Sequence, residues 1–383
     1  MLEISLAKDA RRARVLNGHP WVFAGELASP LPAGTDGEGL VLRDARGRFL
    51  GSGICNSTSK IVWRRYSRNQ RAFDSAFLSE AIARSIARRG KESVRRLVWS
   101  EADDLPGLIA DQFNDVIVMQ TLTLAMDKRA DEIARILIEQ TGASEVLFRN
   151  DAPGRKYEGL ALEIRTLSGK PLEARWMDID GIEYYLDLAS AQKTGYYLDQ
   201  REQHRFVATL AKGRRVLDGF CNQGSFGLQC AKNGAKEVLG IDASELAVEQ
   251  ANANAERNHL SAKFEVGNLF DFFTAKREER FDLIVLDPPS FARNKSSVDG
   301  ALRGYKELNL RAIRMLNPGG ILATYSCSKS VSREMYMEVL ADAAADANRK
   351  LRLIAQTGQP LDHPVILGVP ETEYLKGAVV EVE

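Results

Sequence analysis

The sequence predicts an α/β protein: a doubly wound, Rossmann-like sheet in the C-terminal half, preceded by a small β-rich module and an α+β central region. Two observations carry this. From about Val216, short apolar runs alternate with amphipathic stretches, strand then helix, four times over. That is the rhythm of a parallel sheet covered on both faces. Before residue 72 the apolar runs are short and broken by Gly and Asp, a hairpin signature instead.

The elements follow in order. Residues 1–72 are the β-rich module, with "GEGLVLRDARGRFLGSGICN" as hairpin and "KIVWRRYS" as a further strand. Residues 73–172 are the central region. "FLSEAIARSIARRGKESVRRL" is predicted helical from the spacing of Phe77, Leu78, Ala81, Ile82 and Ile86. "DVIVMQTLTL" is a strand, "DKRADEIARILIEQTG" a helix ending at Gly142, and "SEVLFRN" a strand; "LSGKPLEAR" (Leu167–Arg175) reads as a linker. Residues 173–383 hold the alternating part. Its strands are "RVLDGF", "EVLGID", "FDLIVLDPP" and "GGILATYS". Its helices are "SFGLQCAKNG", "SELAVEQANANAERN", "LRGYKELNLRAIRMLN" and "REMYMEVLADAAADA".

Composition narrows the class. The chain has 383 residues, 44% apolar and 27% charged, as in an ordinary globular protein. No apolar run approaches the ~18 residues of a membrane span. The first residues, "MLEISLAKDARRARVL", lack the apolar segment of a signal peptide. Cys55, Cys221, Cys230 and Cys327 show no metal-type spacing, and the four histidines are scattered. The expectation is reduced thiols, a cytoplasmic protein and no metal.

The net charge of zero hides an asymmetry: residues 1–100 carry 18 Lys and Arg against 9 Asp and Glu. Arg64, Arg65, Arg68 and Arg71 cluster, and Arg84, Arg88, Arg89, Lys91, Arg95 and Arg96 follow. This predicts a polyanion partner, bound in part by Arg64 and Arg65. A solvated helix face is the plain alternative for the second cluster.

In doubly wound sheets the ligand sits at the carboxyl ends of the strands. Asp218, Asp242, Asn268, Asp287 and Cys327 are the polar residues at those ends. "VLDGFCNQGSFGL" joins a strand to a helix through a loop with Gly224 and Gly227, letting backbone approach a ligand at a helix N-terminus. It is not a dinucleotide GxGxxG. Asp242, 24 positions after Asp218, suits ribose hydroxyls, and Asn268 an adenine edge. This set fits S-adenosylmethionine better than NAD. "LDPPSF" adds an aspartate stiffened by Pro288 and Pro289, whose carbonyls are left without sheet partners. Carboxylate and carbonyls together can accept from the amino group of a flat base.

At this point the chain resembles a family. "QKTGYYLDQR" (Gln192–Arg201), "LDPPSFARNK", "RGYKELN" and "TYSCS" are similar to segments of the bacterial large-subunit (23S) rRNA 5-methylcytosine methyltransferases that carry an N-terminal PUA domain. So are "NGHPWVFAGEL", "EADDLPGLIADQF" and "DHPVILGVPETEYLKG", so the resemblance spans nearly the whole chain. It implies a PUA-like domain, a central α+β domain, a class I S-adenosylmethionine-dependent methyltransferase domain, an RNA substrate and a homodimer. It further implies Asp218 and Gly224 on the methionine side of the cofactor, Asp242 at the ribose and Asn268 at the adenine, where the family has Asp. It also implies that Tyr196, Asp199 and Arg201 lie near the cofactor.

Cys327 then has a chemical reason. C5 of cytosine is a poor nucleophile; thiolate addition at C6 makes C5 enamine-like and able to take a methyl group. A free thiol has a pKa of ~8.5, so the thiolate must be favoured locally, for instance by the helix N-terminus at "SVSREMY". Asp287 binds N3/N4 of the base, which must leave its stack to arrive there. Cys221 reads as packing, Cys230 and Cys55 as structural. The group that takes the C5 proton is not identified. Two rivals stand beside this reading. A base N-methyltransferase has "DPP" without needing the cysteine, and a non-catalytic RNA-binding protein needs no cofactor.

Overall fold

The computed structural model describes residues 1–10, 13–190, 194–292 and 295–383. The chain divides into two compact units. One takes in residues 1–175, 186–198 and 361–372, the other residues 176–185, 199–360 and 373–383.

The first unit contains two five-stranded sheets. The N-terminal sheet runs in the spatial order Glu3–Ser5, Gly39–Arg43, Phe49–Cys55, Ile61–Ser67, Trp21–Phe23, and Trp63 and Val22 are among its buried residues. The second sheet comprises Glu163–Thr166, Glu145–Asn150, Val116–Thr121, Leu108–Phe113 and Val94–Trp99. Helices Ser75–Ala87 and Ala130–Thr141 cover it; the latter ends, as expected, at Gly142 with φ 73°. One expectation is corrected. The helix predicted to run through Leu97 stops at Ala87, and Val94–Trp99 is a strand. Val94, Leu97 and Val98 are fully buried, so burial in the sheet overrides the helical tendency of "SVRRL".

The second unit is the doubly wound sheet. Its strands are β1 (Arg215–Gly219), β2 (Glu237–Asp242), β3 (Lys263–Val266), β4 (Phe281–Leu286), β5 (Leu316–Ser326), β6 (Leu351–Gly358) and β7 (Lys376–Val382). Their order is β3-β2-β1-β4-β5-β7-β6. The first five are parallel and β7 is antiparallel to both neighbours. The helices are α1 (Arg201–Thr209), α2 (Ser225–Lys232), α3 (Glu245–Arg257), α4 (Leu269–Ala275), α5 (Val298–Met315) and α6 (Arg333–Asp346). A hairpin, Arg175–Ile179 with Ile182–Leu186, precedes them. Leu283, Ile284, Val285 and Leu286 of β4 are all buried, because helices cover both faces of a parallel sheet. The strand order reverses between β1 and β4, so a crevice opens at their carboxyl ends.

Candidate active site

The sheet brings together the residues that the sequence places at strand ends. Asp218 pairs in register with Gly240 of β2 and Val285 of β4. Asp287 follows β4 directly, and its N–H points to the Gly219 carbonyl oxygen at 3.4 Å. Leu286 lies opposite Thr324, so three further steps along β5 put Cys327 beside the double proline. Its Sγ lies 4.0 Å from the Pro288 carbonyl oxygen. Pro288 is buried and Pro289 exposed.

The loop after β1 is tightly constrained. Phe220, Asn222 and Gly224 have φ of 63°, 47° and 85°, left-handed values that non-glycine residues adopt at a cost of ~1–3 kcal/mol each. Asp242 holds this shape. One carboxylate oxygen accepts from the Asn222 N–H at 2.9 Å and the other from Ser244 at 2.9 Å. A Cβ on Gly224 would meet the Phe264 ring at 2.8 Å, and one on Gly227 would crowd Val238 and Asp218 at 3.0 and 3.1 Å. The two glycines therefore close α2 onto the strands.

Asp218 is 1% exposed. One carboxylate oxygen accepts from the Gly227 N–H at 2.8 Å; the other is buried with no hydrogen-bond partner. Burial pushes its pKa up to about 7, against the pull of that N–H and helped by Asp287 and Asp242. A buried unpaired acceptor among three carboxylates is the complement of a cation with N–H donors. S-adenosylmethionine carries both a sulfonium and an ammonium, so the residues fit it. Asn268 caps α4: its side-chain oxygen accepts from Phe270 and Asp271, at 2.9 and 3.4 Å. That leaves the amide protons as the side chain's remaining hydrogen-bonding groups.

Cys327 is partly exposed, whereas Cys55, Cys221 and Cys230 are buried. A hydroxyl cluster ties its loop to the loop of Asp287. The buried Ser328 hydroxyl lies 2.9 Å from Tyr305 and 3.0 Å from Ser290, and accepts from the Ala292 N–H at 3.3 Å. Ser326 donates to Tyr305 at 3.0 Å. Of the segment Gln192–Arg201, Gln192 and Lys193 lie outside the described residues, as do Arg293 and Asn294 after the prolines. Tyr196 is buried in the first unit. Asp199 accepts from the Tyr374 hydroxyl at 2.8 Å. Arg201 is buried and donates two hydrogen bonds to Asp180, at 2.8 and 2.6 Å. Gln200, not singled out in the sequence, donates to Asp287 at 3.0 Å. Ser328, Tyr305 and Lys376 were missed likewise, since a single polar residue carries no periodic pattern.

The basic cluster is corrected. Arg64 bonds Glu101 and Glu158, each at 3.2 Å, and its guanidinium lies over Trp21. Arg65 is 8% exposed and donates to the Gly18 carbonyl. Arg89 and Arg96 are buried against Asp103 and Asp111. These guanidiniums are internal and not presented to a polyanion, because a buried charge needs a partner. Arg46, Arg48, Lys60, Arg68, Arg84, Arg88 and Lys91 are exposed.

A family model of S-adenosylmethionine-dependent methyltransferases matches residues 102–367, and one of PUA-like domains matches residues 4–68. The chain is 38% identical to the ribosomal RNA large subunit methyltransferase I of Tolumonas auensis over 98% of each protein. It is 34% identical to the protein of that name from Citrobacter koseri, over 100% of this chain and 99% of the relative. A solved candidate methyltransferase from Streptococcus mutans shares the fold, with a TM-score of 0.80 at 19% identity and full coverage of both chains. Another, solved in complex with SAH, aligns with a TM-score of 0.83 at 20% identity, also over the full length of both.

Proposed function

Since the chain belongs to the S-adenosylmethionine-dependent methyltransferases, in the family of the ribosomal RNA large subunit methyltransferases I, we propose that it forms 5-methylcytosine in large-subunit ribosomal RNA through a covalent bond from Cys327 to C6 of the base. One observation carries the reading: a partly exposed sulfur stands 4.0 Å from the Pro288 carbonyl, next to Asp287 and on the edge where Asp218 and Asp242 converge. The bound cofactor supplies an electrophilic methyl group.

The chain's own residues do the rest. Asp287, oriented by Gln200, accepts from the N4 amino group of a cytosine turned out of its stack. The Cys327 thiolate gives an electron pair to C6, and the C5–C6 double bond becomes an enamine that takes the methyl group at C5. Loss of the C5 proton to a base then re-forms that double bond as the S–C6 bond breaks, and the pair returns to sulfur. The reading includes a homodimer, as the resemblance implies, and a cytoplasmic setting, as the scattered cysteines suggest. Among the described residues no helix is long and apolar enough to cross a membrane.

The test is Cys327→Ala. Methyl transfer to large-subunit RNA is expected to be abolished, while S-adenosylmethionine binding by calorimetry stays near wild type. Turnover retained at the wild-type rate removes the covalent mechanism and favours methylation of a nitrogen. Mapping by mass spectrometry the methyl group missing from the RNA of a deletion strain identifies the nucleotide.

A further inference from the structure

Lys376 opens β7, directly opposite Ser326, the last residue of β5. It is 4% exposed, so its ammonium lies inside the protein next to the chain that carries the thiol. Nζ donates to the Ser328 carbonyl oxygen at 2.6 Å and to the Tyr374 carbonyl oxygen at 2.9 Å. Two of its three protons are thereby placed on neutral acceptors. Among the described residues no carboxylate lies within ion-pairing distance of it. A buried ammonium in that condition is costly unless an anion completes it.

The charged and titratable groups that face it are few. Cys327 stands at the end of β5, Glu373 just before β7 and Arg333 at the start of α6. Glu373 is paired to Arg333 at 3.2 Å and is largely exposed. The Tyr305 phenol of α5, bonded to the hydroxyls of Ser326 and Ser328 on either side of Cys327, is pushed up by burial and stays neutral. Asp287, after β4, is held by Gln200. Nζ is anchored on the carbonyl of Ser328 and its strand position faces Ser326, the two residues that flank Cys327, so Cys327 is the neighbouring group whose negative form complements Lys376. Burial draws the lysine down to about 8, against the opposing pull of Cys327 and Glu373, so it keeps its proton at pH 7.

We propose that Lys376 is a positioning residue for the nucleophile: its ammonium, fixed by the Ser328 and Tyr374 carbonyl oxygens, holds Cys327 as the thiolate. The sulfur gives its proton to water, and the charge of the lysine does not change. The inference rests on the reading of Cys327 as the attacking group, but its test does not use methyl transfer.

The test is the pH dependence of Cys327 alkylation by iodoacetamide in the full-length protein without RNA, followed by peptide mass. The other three thiols are buried and pushed up, Cys55 to about 11 and Cys221 and Cys230 further, so native alkylation reads Cys327. The wild-type midpoint is expected well below the ~8.5 of a free thiol. Lys376→Gln keeps a donor for the carbonyls and deletes the charge; its midpoint rises by about one unit and its rate at pH 7 falls about tenfold. Lys376→Arg keeps the midpoint near wild type. A wild-type midpoint at or above ~8.5 overturns the proposal, as does an unchanged midpoint in folded Lys376→Gln protein. If that variant does not fold, Lys376→Met takes its place, and an unchanged midpoint in it overturns the proposal likewise. Methyl transfer retained by Cys327→Ala together with a low wild-type midpoint removes the covalent reading and leaves the thiolate pair standing.

Discussion

Asp218 has one oxygen held by the Gly227 N–H and one buried without a partner. Its pKa is raised to about 7 by burial, against an ordinary value near ~3.9. Between those values the folded protein keeps a proton that the unfolded chain has released. Stability of the cofactor-free protein contributed by this group is therefore highest below pH ~4 and declines as pH rises toward ~7. Asp218→Asn is expected to remove that decline. Denaturant titrations from about pH 4.5 to about pH 7.5 measure it, and an identical slope in both proteins would show that Asp218 is already ionised in the fold. Asn268 shows a different limit of reading single residues. Its place at a strand end was expected, but whether its oxygen or its nitrogen remains to bond further depended on the cap of α4, which takes the oxygen.

Between elements, Ser328 is the join. Its hydroxyl meets α5 through Tyr305 and the loop after β4 through Ser290 and the Ala292 N–H. Ser328→Ala leaves those buried groups without their partner, at a cost of ~1–3 kcal/mol of stability. The two loops then hold Asp287 and Cys327 less firmly, so kcat is expected to fall more than cofactor affinity. Steady-state kinetics beside calorimetry check this; equal losses in both would mean that Ser328 supports the cofactor loop instead. Four of the five parallel strands and the helices that follow them were legible because each is an apolar run of the right period, and so Asp218, Asp242, Asp287 and Cys327 were legible as strand ends; the short α1, β3 and α4 were not read as such runs. β6 and β7 were not read. Nothing in "LRLIAQTG" or "KGAVVEV" says that the later strand pairs inside the earlier one, so Lys376 had no visible partner. The hairpin before α1 was also missed; "RWMDI" and "IEYYL" are too short to stand out from a linker.

For the whole molecule, the basic residues 1–100 remain the expected RNA grip, but through other residues than the sequence singles out. Arg64→Glu is expected to unfold or destabilise the first unit, since Glu101 and Glu158 would then face a like charge. Arg46→Glu with Arg48→Glu, at an exposed hairpin tip, is expected to weaken RNA binding. Its log–log salt slope should flatten by about 0.7–0.9 for each phosphate that the protein no longer neutralises. Filter binding across a salt series checks this, and an unchanged slope would place the RNA elsewhere. The position of β7 has a consequence in time. It lies between β5 and β6 yet is translated after both, so during synthesis the sheet waits with an open slot and unpaired backbone. The strand that fills the slot also delivers Lys376 to the Ser328 carbonyl, one residue beyond Cys327. On the thiolate proposal, a nascent chain holds its cysteine as an unarmed thiol until assembly is finished, and the reactive sulfur appears only in a completed sheet.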